Sequence, residues 1–541
     1  MSVTPRSMSR RAGVAAWALL GLIVLAATAV RLRLLDIPLD RDEGEYAYFG
    51  QLLLQGIPPY TTAYNLKLPG IYAVYAGMFA AFGQTPVGIH FGLLIANVTA
   101  CVLTFLLAAR LVTPVAGIVA AATFAVLSLS SRLYGLAAYA EHFVLLPALA
   151  GALLLLTAVE SGRLRAFFAS GVLFGLALVI KQSGAAFVLF GVLYALTRTV
   201  LPAATGSGLR RLAPTSVLLG GALLPYVSVC LALTLAGAFE NFWFWTSTYA
   251  YYYASEISLS GALRLLALTL GEILATTYLV VALAAIGAAA LVLDRAGRAR
   301  RAFVALFALC AFTGTAAGLH FRPQYFLLQL PAVALLGGIA VDATARRLGA
   351  SAPALRIVVP LSLAILPLAI LLYGERSILL ERSPERLARV LYALNPFPES
   401  IEVARYIKAR TGDGEKLAVI GSEPQIYFYA HRPAATGFVY TYALMEENNP
   451  YASRMQRQMI EDIERARPRF VVLVNASVSW GVRPGSDRTL FQWWEGYQRD
   501  FDRVGFVDIT DHGTTYVWGG DAAGYVPRSL VWLAVFERKA G

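Results

Sequence analysis

The run Asp40-Arg-Asp-Glu-Gly-Glu45 places four carboxylates in six residues, immediately after an apolar stretch. A carboxylate in such a place can take a proton from an attacking hydroxyl as general base. Asp40-x-Asp42 can alternatively hold a hard divalent cation through oxygen ligands. The third reading is a solvated loop that starts a helix, with Asp40 as N-cap and Glu43 in the first turn. Farther along the chain, Lys67, Glu141, His142, Lys181, His320 and Arg322 stand at the ends of apolar runs. The cations among them suit a phosphate leaving group. Each also has a structural reading: Lys67 and Lys181 snorkel from helix ends, His320 sits at an interface, and Glu141 pairs with Arg132.

The elements that must carry these residues are membrane helices. Of 541 residues, 58% are hydrophobic and only 14% charged, against roughly a quarter charged in an ordinary soluble domain. The net charge of +12 does not call for nucleic acid, because basic residues of a membrane protein collect in cytoplasmic loops. Cys101, Cys230 and Cys310 lie in apolar runs without metal or disulfide spacing. Arg6 to Arg11 followed by uncharged Ala12 to Val30 has the form of a signal peptide, but the many apolar spans that follow favour an uncleaved first helix.

Spans of about 20 apolar residues fall near 12–30, 87–109, 112–131, 142–159, 166–180, 183–198, 214–238, 265–293, 302–319, 324–341 and 353–373, about eleven helices. If Gly70 to Phe82 lies at the interface, the Arg163/Arg165, Arg198/Arg210/Arg211, Arg295/Arg298/Arg300/Arg301 and Arg346/Arg347 clusters are all cytoplasmic together with Arg6, Arg10 and Arg11, as the positive-inside rule requires. That parity sends Val30 to Phe82, Arg132 to His142, Lys181-Gln182 and His320-Phe321-Arg322 to the outer face, so the ionisable candidates converge there. An aromatic outer loop, Phe239 to Tyr253, suits either the headgroup level or a ligand. After Tyr373 the composition turns charged and mixed. Glu399 to Arg410 and Tyr451 to Arg467 read as amphipathic helices, and Lys416 to Ile420, Phe470 to Val474 and Thr515 to Trp518 as strands. The expected fold class is thus a polytopic α-helical membrane protein with a C-terminal extracytoplasmic α/β domain. The division is 1–375, with a first outer loop at 31–86, and 395–541.

Several of these segments resemble a family. Asp42-Glu43, Tyr46-Ala47, Leu-Leu-Leu-Gln-Gly56, Pro58-Pro59-Tyr60 and Lys67-Leu-Pro-Gly-Ile-Tyr72 are similar to the first outer loop of the polyprenyl-phosphate-sugar-dependent glycosyltransferases of the GT-C class. Protein O-mannosyltransferases and lipid A aminoarabinose transferases belong to that class. The likeness continues through Tyr139-Ala-Glu-His-Phe143, Gly175-Leu-Ala-Leu-Val-Ile-Lys181 and Arg322-Pro-Gln-Tyr-Phe-Leu-Leu-Gln-Leu-Pro331. It implies Asp42 as the catalytic aspartate, Glu141 as a second acid, Lys67 as the lysine after the interfacial helices, and Tyr325 as a substrate-binding residue within the last run. Lys67-Leu68-Pro69 departs from the family's Lys-Pro-Pro, Lys181-Gln182 from Lys-Gly, and Glu141-His142 from the usual Asp. Trp493-Trp-Glu-Gly-Tyr497 has nearly the composition of the oligosaccharyltransferase Trp-Trp-Asp-Tyr-Gly signature in the wrong order, and is read as coincidence.

The expected function is a multi-pass inner-membrane glycosyltransferase. It would move one monosaccharide from a polyprenyl-phosphate carrier to a hydroxyl of a lipid, glycan or protein acceptor outside the cytoplasm, with inversion. Asp42 acts as base, Glu43 or Glu141 positions donor or acceptor, and Lys67, His142, Lys181, His320, Arg322 and Tyr325 bind substrate. No cofactor is required, and Asp40-x-Asp42 leaves a divalent metal open. The alternative is a transporter or flippase for a lipid-linked or anionic solute, which needs ionisable or helix-breaking features near the bilayer midplane. The centres of the expected spans are almost free of charge.

Overall fold

Long uncharged runs form helices because a backbone in lipid must satisfy its own hydrogen bonds. The computed structural model describes residues 10–199, 208–294, 297–348 and 353–540; Arg6 and Arg295, used in the topology reading, lie outside them. The first elements are α1 (Arg10–Leu32), α2 (Arg41–Leu54), α3 (Gly70–Phe82), α4 (Pro86–Leu111), α5 (Pro114–Leu127), α6 (Ala140–Ser161), α7 (Leu164–Ile180), α8 (Ala185–Thr199) and α9 (Gly208–Leu235). Helices Leu259–Leu293, Arg298–Ala316, Leu330–Arg347 and Pro353–Gly374 follow.

The chain divides into two compact units, one of Met1–Leu35, His90–Leu231 and Ile257–Leu380, the other of Asp36–Ile89, Ala232–Glu256 and Glu381–Gly541. Together they make a multi-pass membrane protein: eight helices among the described residues are long and apolar enough to cross a bilayer. Three of the eleven expected spans fall on shorter helices, α5 with 14 residues, α7 with 17 and α8 with 15. At 13 residues, α3 is about 20 Å long, short of a hydrocarbon core of about 30 Å.

The helical unit is held by apolar packing. Phe190 of α8 meets Phe303 and Phe307 at ring-centroid distances of 5.0 and 5.2 Å, in the edge-to-face geometry that aromatic quadrupoles favour.

The second unit contains a five-stranded sheet of β1 (Leu417–Ile420), β2 (Phe470–Asn475), β3 (Phe501–Thr510), β4 (Gly513–Trp518) and β5 (Val531–Arg538). Its order is β1-β2-β5-β3-β4, with β1 and β2 parallel and the other neighbours antiparallel. The expected strands are β1, β2 and β4, and the expected helices are Phe397–Lys408 and Ala452–Ala466. The sequence reading did not mark β3 and β5. A register shift between Arg503 and Gly505 breaks the alternation of β3, as a bulge does. In β5, Val-Trp-Leu-Ala-Val-Phe is a continuous apolar run without the half-buried period.

Residues 36–89 cluster with the C-terminal residues, a grouping unlike the linear division at 375 and 395. The reason is close packing of α2 on the helix Gln425–Ala430. A Cβ on Gly44 would lie 2.5 Å from Gln425 Cβ and 2.7 Å from its backbone nitrogen. Gly44→Ala is therefore expected to destabilise the protein by about 1–3 kcal/mol. Gly77→Ala in α3, where nothing lies within 4 Å, should cause no loss, since Ala is the better helix former. Thermal unfolding in detergent compares the two, and equal melting temperatures would remove this contact from the account of α2.

Candidate functional site

Asp40 caps α2. Its side chain accepts from the Glu43 amide at 2.8 Å, and the Glu43 carboxylate accepts from the Asp40 amide at 3.2 Å, a reciprocal capping box. The capping reading and the acidic run therefore coexist. Solvation does not: Asp40, Glu43 and Glu45 are buried, and Asp42, with a side chain 28% exposed, is the wettest of the four.

Starting α2 at Arg41 puts Asp42 and Glu45 at i and i+3 on one face, and both take the same cation. Lys67 Nζ lies 2.8 Å from Asp42 Oδ1 and 2.5 Å from Glu45 Oε2. Tyr72 donates to Glu45 Oε1 at 2.9 Å, and Tyr440 of the C-terminal domain donates to Asp42 Oδ1 at 2.8 Å. The ammonium also sits over the Tyr46 and Tyr440 rings, 4.6 and 5.4 Å from their centroids. Tyr60 donates to the Lys67 carbonyl at 2.6 Å, which fixes the backbone from which this lysine reaches. Lys67 is thus built into a network rather than snorkelling.

Burial pushes the Glu45 carboxyl up to about 7; Lys67 and Tyr72 lessen the rise and the nearby Asp42 charge adds to it. For Lys67, burial acts downward, but the two carboxylates outweigh it and hold the ammonium above its usual range. Burial and the Asp42 charge hold the Tyr440 hydroxyl protonated, well above the usual phenol range, so it stays a donor.

Arg41 attaches the start of α2 to the C-terminal domain. It donates to the Ser422 carbonyl at 2.5 Å and Glu423 Oε1 at 2.6 Å, and lies over the Phe397 and Tyr442 rings. The aromatic loop belongs to this same unit: Tyr64 stacks on Trp245 with centroids 5.8 Å apart, and Tyr249 donates to Glu446 at 2.7 Å. Burial raises Glu446 to about 7.

A second cluster lies in the helical unit. Lys181, at the end of α7, pairs with Glu141 in the first turn of α6, and its ammonium is 4.4 Å from the centroid of Tyr325. Glu141 therefore pairs with Lys181 and not with Arg132, which is exposed. Glu141 Oε2 and His142 Nε2 are buried without hydrogen-bond partners. Arg322 is exposed, one turn before Tyr325, whose amide donates to the Arg322 carbonyl at 3.0 Å. His320 Nδ1 lies 2.6 Å from the Gly318 carbonyl.

The structure therefore joins Asp42 to Lys67 in one unit and Glu141 to Lys181 and Tyr325 in the other. Glu45, Tyr72, Tyr440 and Arg41 were not singled out from sequence. The i, i+3 spacing from Asp42 could have marked Glu45; nothing local marks Tyr440. Among the described residues no three His, Cys, Asp or Glu side chains are grouped to hold a metal. Trp493 and Tyr497 stack on each other within the helix Thr489–Tyr497.

Residues 67–205 match the family model described as dolichyl-phosphate-mannose-protein mannosyltransferase. ArnT from Cupriavidus metallidurans, in a structure bound to undecaprenyl phosphate, aligns at 15% identity over 95% of this chain and 97% of its own, with a TM-score of 0.58. The Archaeoglobus fulgidus oligosaccharyltransferase AglB, in complex with an inhibitory peptide and a dolichol-phosphate, aligns at 13% identity over 96% of this chain and 76% of its own, with a TM-score of 0.53. The fold is that of the GT-C glycosyltransferases. No curated protein sequence matches. The GT-C resemblance expected from the outer-loop runs is thus met at the level of fold, across both units.

Within this GT-C fold the buried acid gives a pH test. Glu45 binds its proton more tightly folded, at about 7, than at its ordinary 4.5. Its protonation therefore favours the folded state, a contribution complete below about 4.5 and lost as pH rises to about 7. Glu45→Gln removes the titration, so the melting temperature of Glu45→Gln minus that of wild type should grow between these pH values. A flat difference would show that Glu45 does not titrate there.

Proposed function

We propose that this protein is a glycosyltransferase that moves one sugar from a polyprenyl-phosphate carrier to an acceptor hydroxyl, with the network around Asp42 as its catalytic centre. The observation that carries the reading is the placement of Asp42. On a GT-C fold, it is the least buried acid of the run, and it is held by an ammonium and a phenol that leave its position little freedom.

The acceptor oxygen attacks the anomeric carbon, the bond from that carbon to the phosphate oxygen breaks, the hydroxyl proton passes to Asp42, and the carrier leaves as its phosphate. One displacement inverts the anomeric centre. Lys67 shares its charge between Asp42 and Glu45 before reaction. As charge develops on the departing phosphate, Lys67 turns towards it, and Asp42, relieved of its cation, becomes the stronger base. Glu43 holds the cap from which Asp42 projects. In the helical unit, Lys181 supplies a cation whose charge Glu141 balances, and we assign Lys181, His320 and Arg322 to anionic substrate groups. Glu141, His142 and Tyr325 are assigned to hydroxyl and ring contacts. The reading needs no metal.

Purified protein incubated with a panel of polyprenyl-phosphate sugars and membrane acceptors should release label from at least one donor. Asp42→Asn should cut transfer about a hundred- to ten-thousandfold, and Lys67→Ala should weaken donor use. Losses at Asp40→Asn and Asp42→Asn that follow added divalent cation would assign a metal site. Substantial transfer by Asp42→Asn defeats the base assignment. Movement of a lipid-linked solute without any sugar transfer would favour the transporter or flippase.

We place the protein in the inner membrane with the Asp42 network and the C-terminal domain outside the cytoplasm, on the distribution of Arg clusters. A reporter active only outside the cytoplasm should be active when fused after Gly374 and silent when fused within 294–301. The reverse pattern at either position would overturn this parity.

A further inference from the structure

Two oppositely charged side chains, one from the first apolar helix of the helical unit and one from the end of its last, converge on a single loop. Arg31, in the last turn of α1, is 5% exposed, and Glu375, directly after Pro353–Gly374, is 3% exposed. Arg31 Nη2 donates to the Ser128 carbonyl at 2.6 Å and the Gly135 carbonyl at 3.1 Å. Glu375 accepts from Ser130 Oγ at 2.9 Å, the Ser131 amide at 3.2 Å and Ser131 Oγ at 2.7 Å. The cation thus takes the loop's carbonyls and the anion its donors, each matched in sign. Ionisable groups buried beside apolar helices are costly and need such partners.

The loop between α5 and α6 is tightly folded. Tyr134 has φ of +51°, and a Cβ on Gly135 would lie 2.3 Å from the Ser128 carbonyl oxygen. Only glycine allows the two carbonyls to come close enough for one guanidinium nitrogen to reach both. The loop runs directly into α6, where the Tyr139 carbonyl accepts from the His142 amide at 3.1 Å. No side chain caps α6 at Tyr139, so the approach of the loop sets where the first turn of α6 begins. That turn carries Glu141 and His142, with Glu141 paired to Lys181.

We propose that Arg31 and Glu375 are positioning residues that hold the Ser128–Tyr139 loop so that Glu141 and His142 stand in working register. The assignment rests on the transferase reading above. Arg31 and Glu375 touch no proposed substrate group; they act through the loop backbone, Arg31 at Gly135 and Glu375 at Ser131.

The test uses the full-length protein in detergent with Arg31→Gln, Glu375→Gln and the milder Ser131→Ala, which removes one of Glu375's donors and keeps both charges. Amide hydrogen exchange in residues 131–139 should accelerate at least several-fold in each variant, while exchange in β2 and β5 stays as in wild type. In the transfer assay, kcat should fall about ten- to a hundredfold for the two charge variants, as for misplaced groups, with donor KM within about twofold. Added to Glu141→Gln, Arg31→Gln should cause little further loss, because both act through one group. Unchanged exchange overturns the proposal, as do faster exchange with wild-type kcat and losses that multiply with that of Glu141→Gln. Should Arg31→Gln or Glu375→Gln fail to fold, the same criteria apply to Ser131→Ala. A wild type that transfers no sugar overturns the transferase reading instead, and the exchange comparison still decides whether the loop is clamped.

Discussion

One ammonium between two carboxylates organises the loop and sheet unit. Burying Glu45 is unfavourable unless its charge is met, and Lys67 meets it while also reaching Asp42. The other features of this corner follow from keeping that lysine in place. Tyr60 ties its carbonyl, Tyr72 takes the second oxygen of Glu45, and Tyr46 and Tyr440 offer ring faces to the ammonium. Three charges in close contact leave the group with one excess negative charge when Glu45 is ionised and none when it is protonated, so the proton on Glu45 sets the electrostatics around Asp42.

The C-terminal domain has a physical part in this arrangement. Tyr440 completes the coordination of Asp42, Arg41 reaches Ser422 and Glu423, and Gly44 lets α2 lie against Gln425. Tyr48 and Tyr429 add hydrogen bonds from hydroxyl oxygens that accept the Ala434 and Leu39 amides at 2.7 and 2.9 Å. A helix that carries reactive groups at its first turn needs its axis held, because small displacements of such groups are costly to catalysis. Domain and acidic segment are therefore one structural object.

In the helical unit the same economy of charge recurs. Three of the buried charges there meet partners of opposite sign: Glu141 meets Lys181, Arg31 meets backbone carbonyls, and Glu375 meets hydroxyls and an amide. An apolar surround strengthens each of these contacts and makes each an expensive one to break.

The sequence by itself determined what depends on composition and on neighbours a few residues apart. Low charge and long apolar runs specify a multi-pass membrane chain, and Asp40 with Glu43 three residues on specifies the start of α2. Period and composition mark β1, β2, β4 and the two amphipathic helices. Local pattern fails where a bulge disrupts β3 and where β5 is apolar throughout. Tertiary structure alone decided which charges meet. Arg41 and Glu423 are 382 residues apart, Tyr440 and Asp42 398, and Ser130 and Glu375 245. No periodicity spans such separations; the partners are chosen by which elements pack together, because a buried charge must find its counterpart among whatever groups the fold brings within about 3 Å.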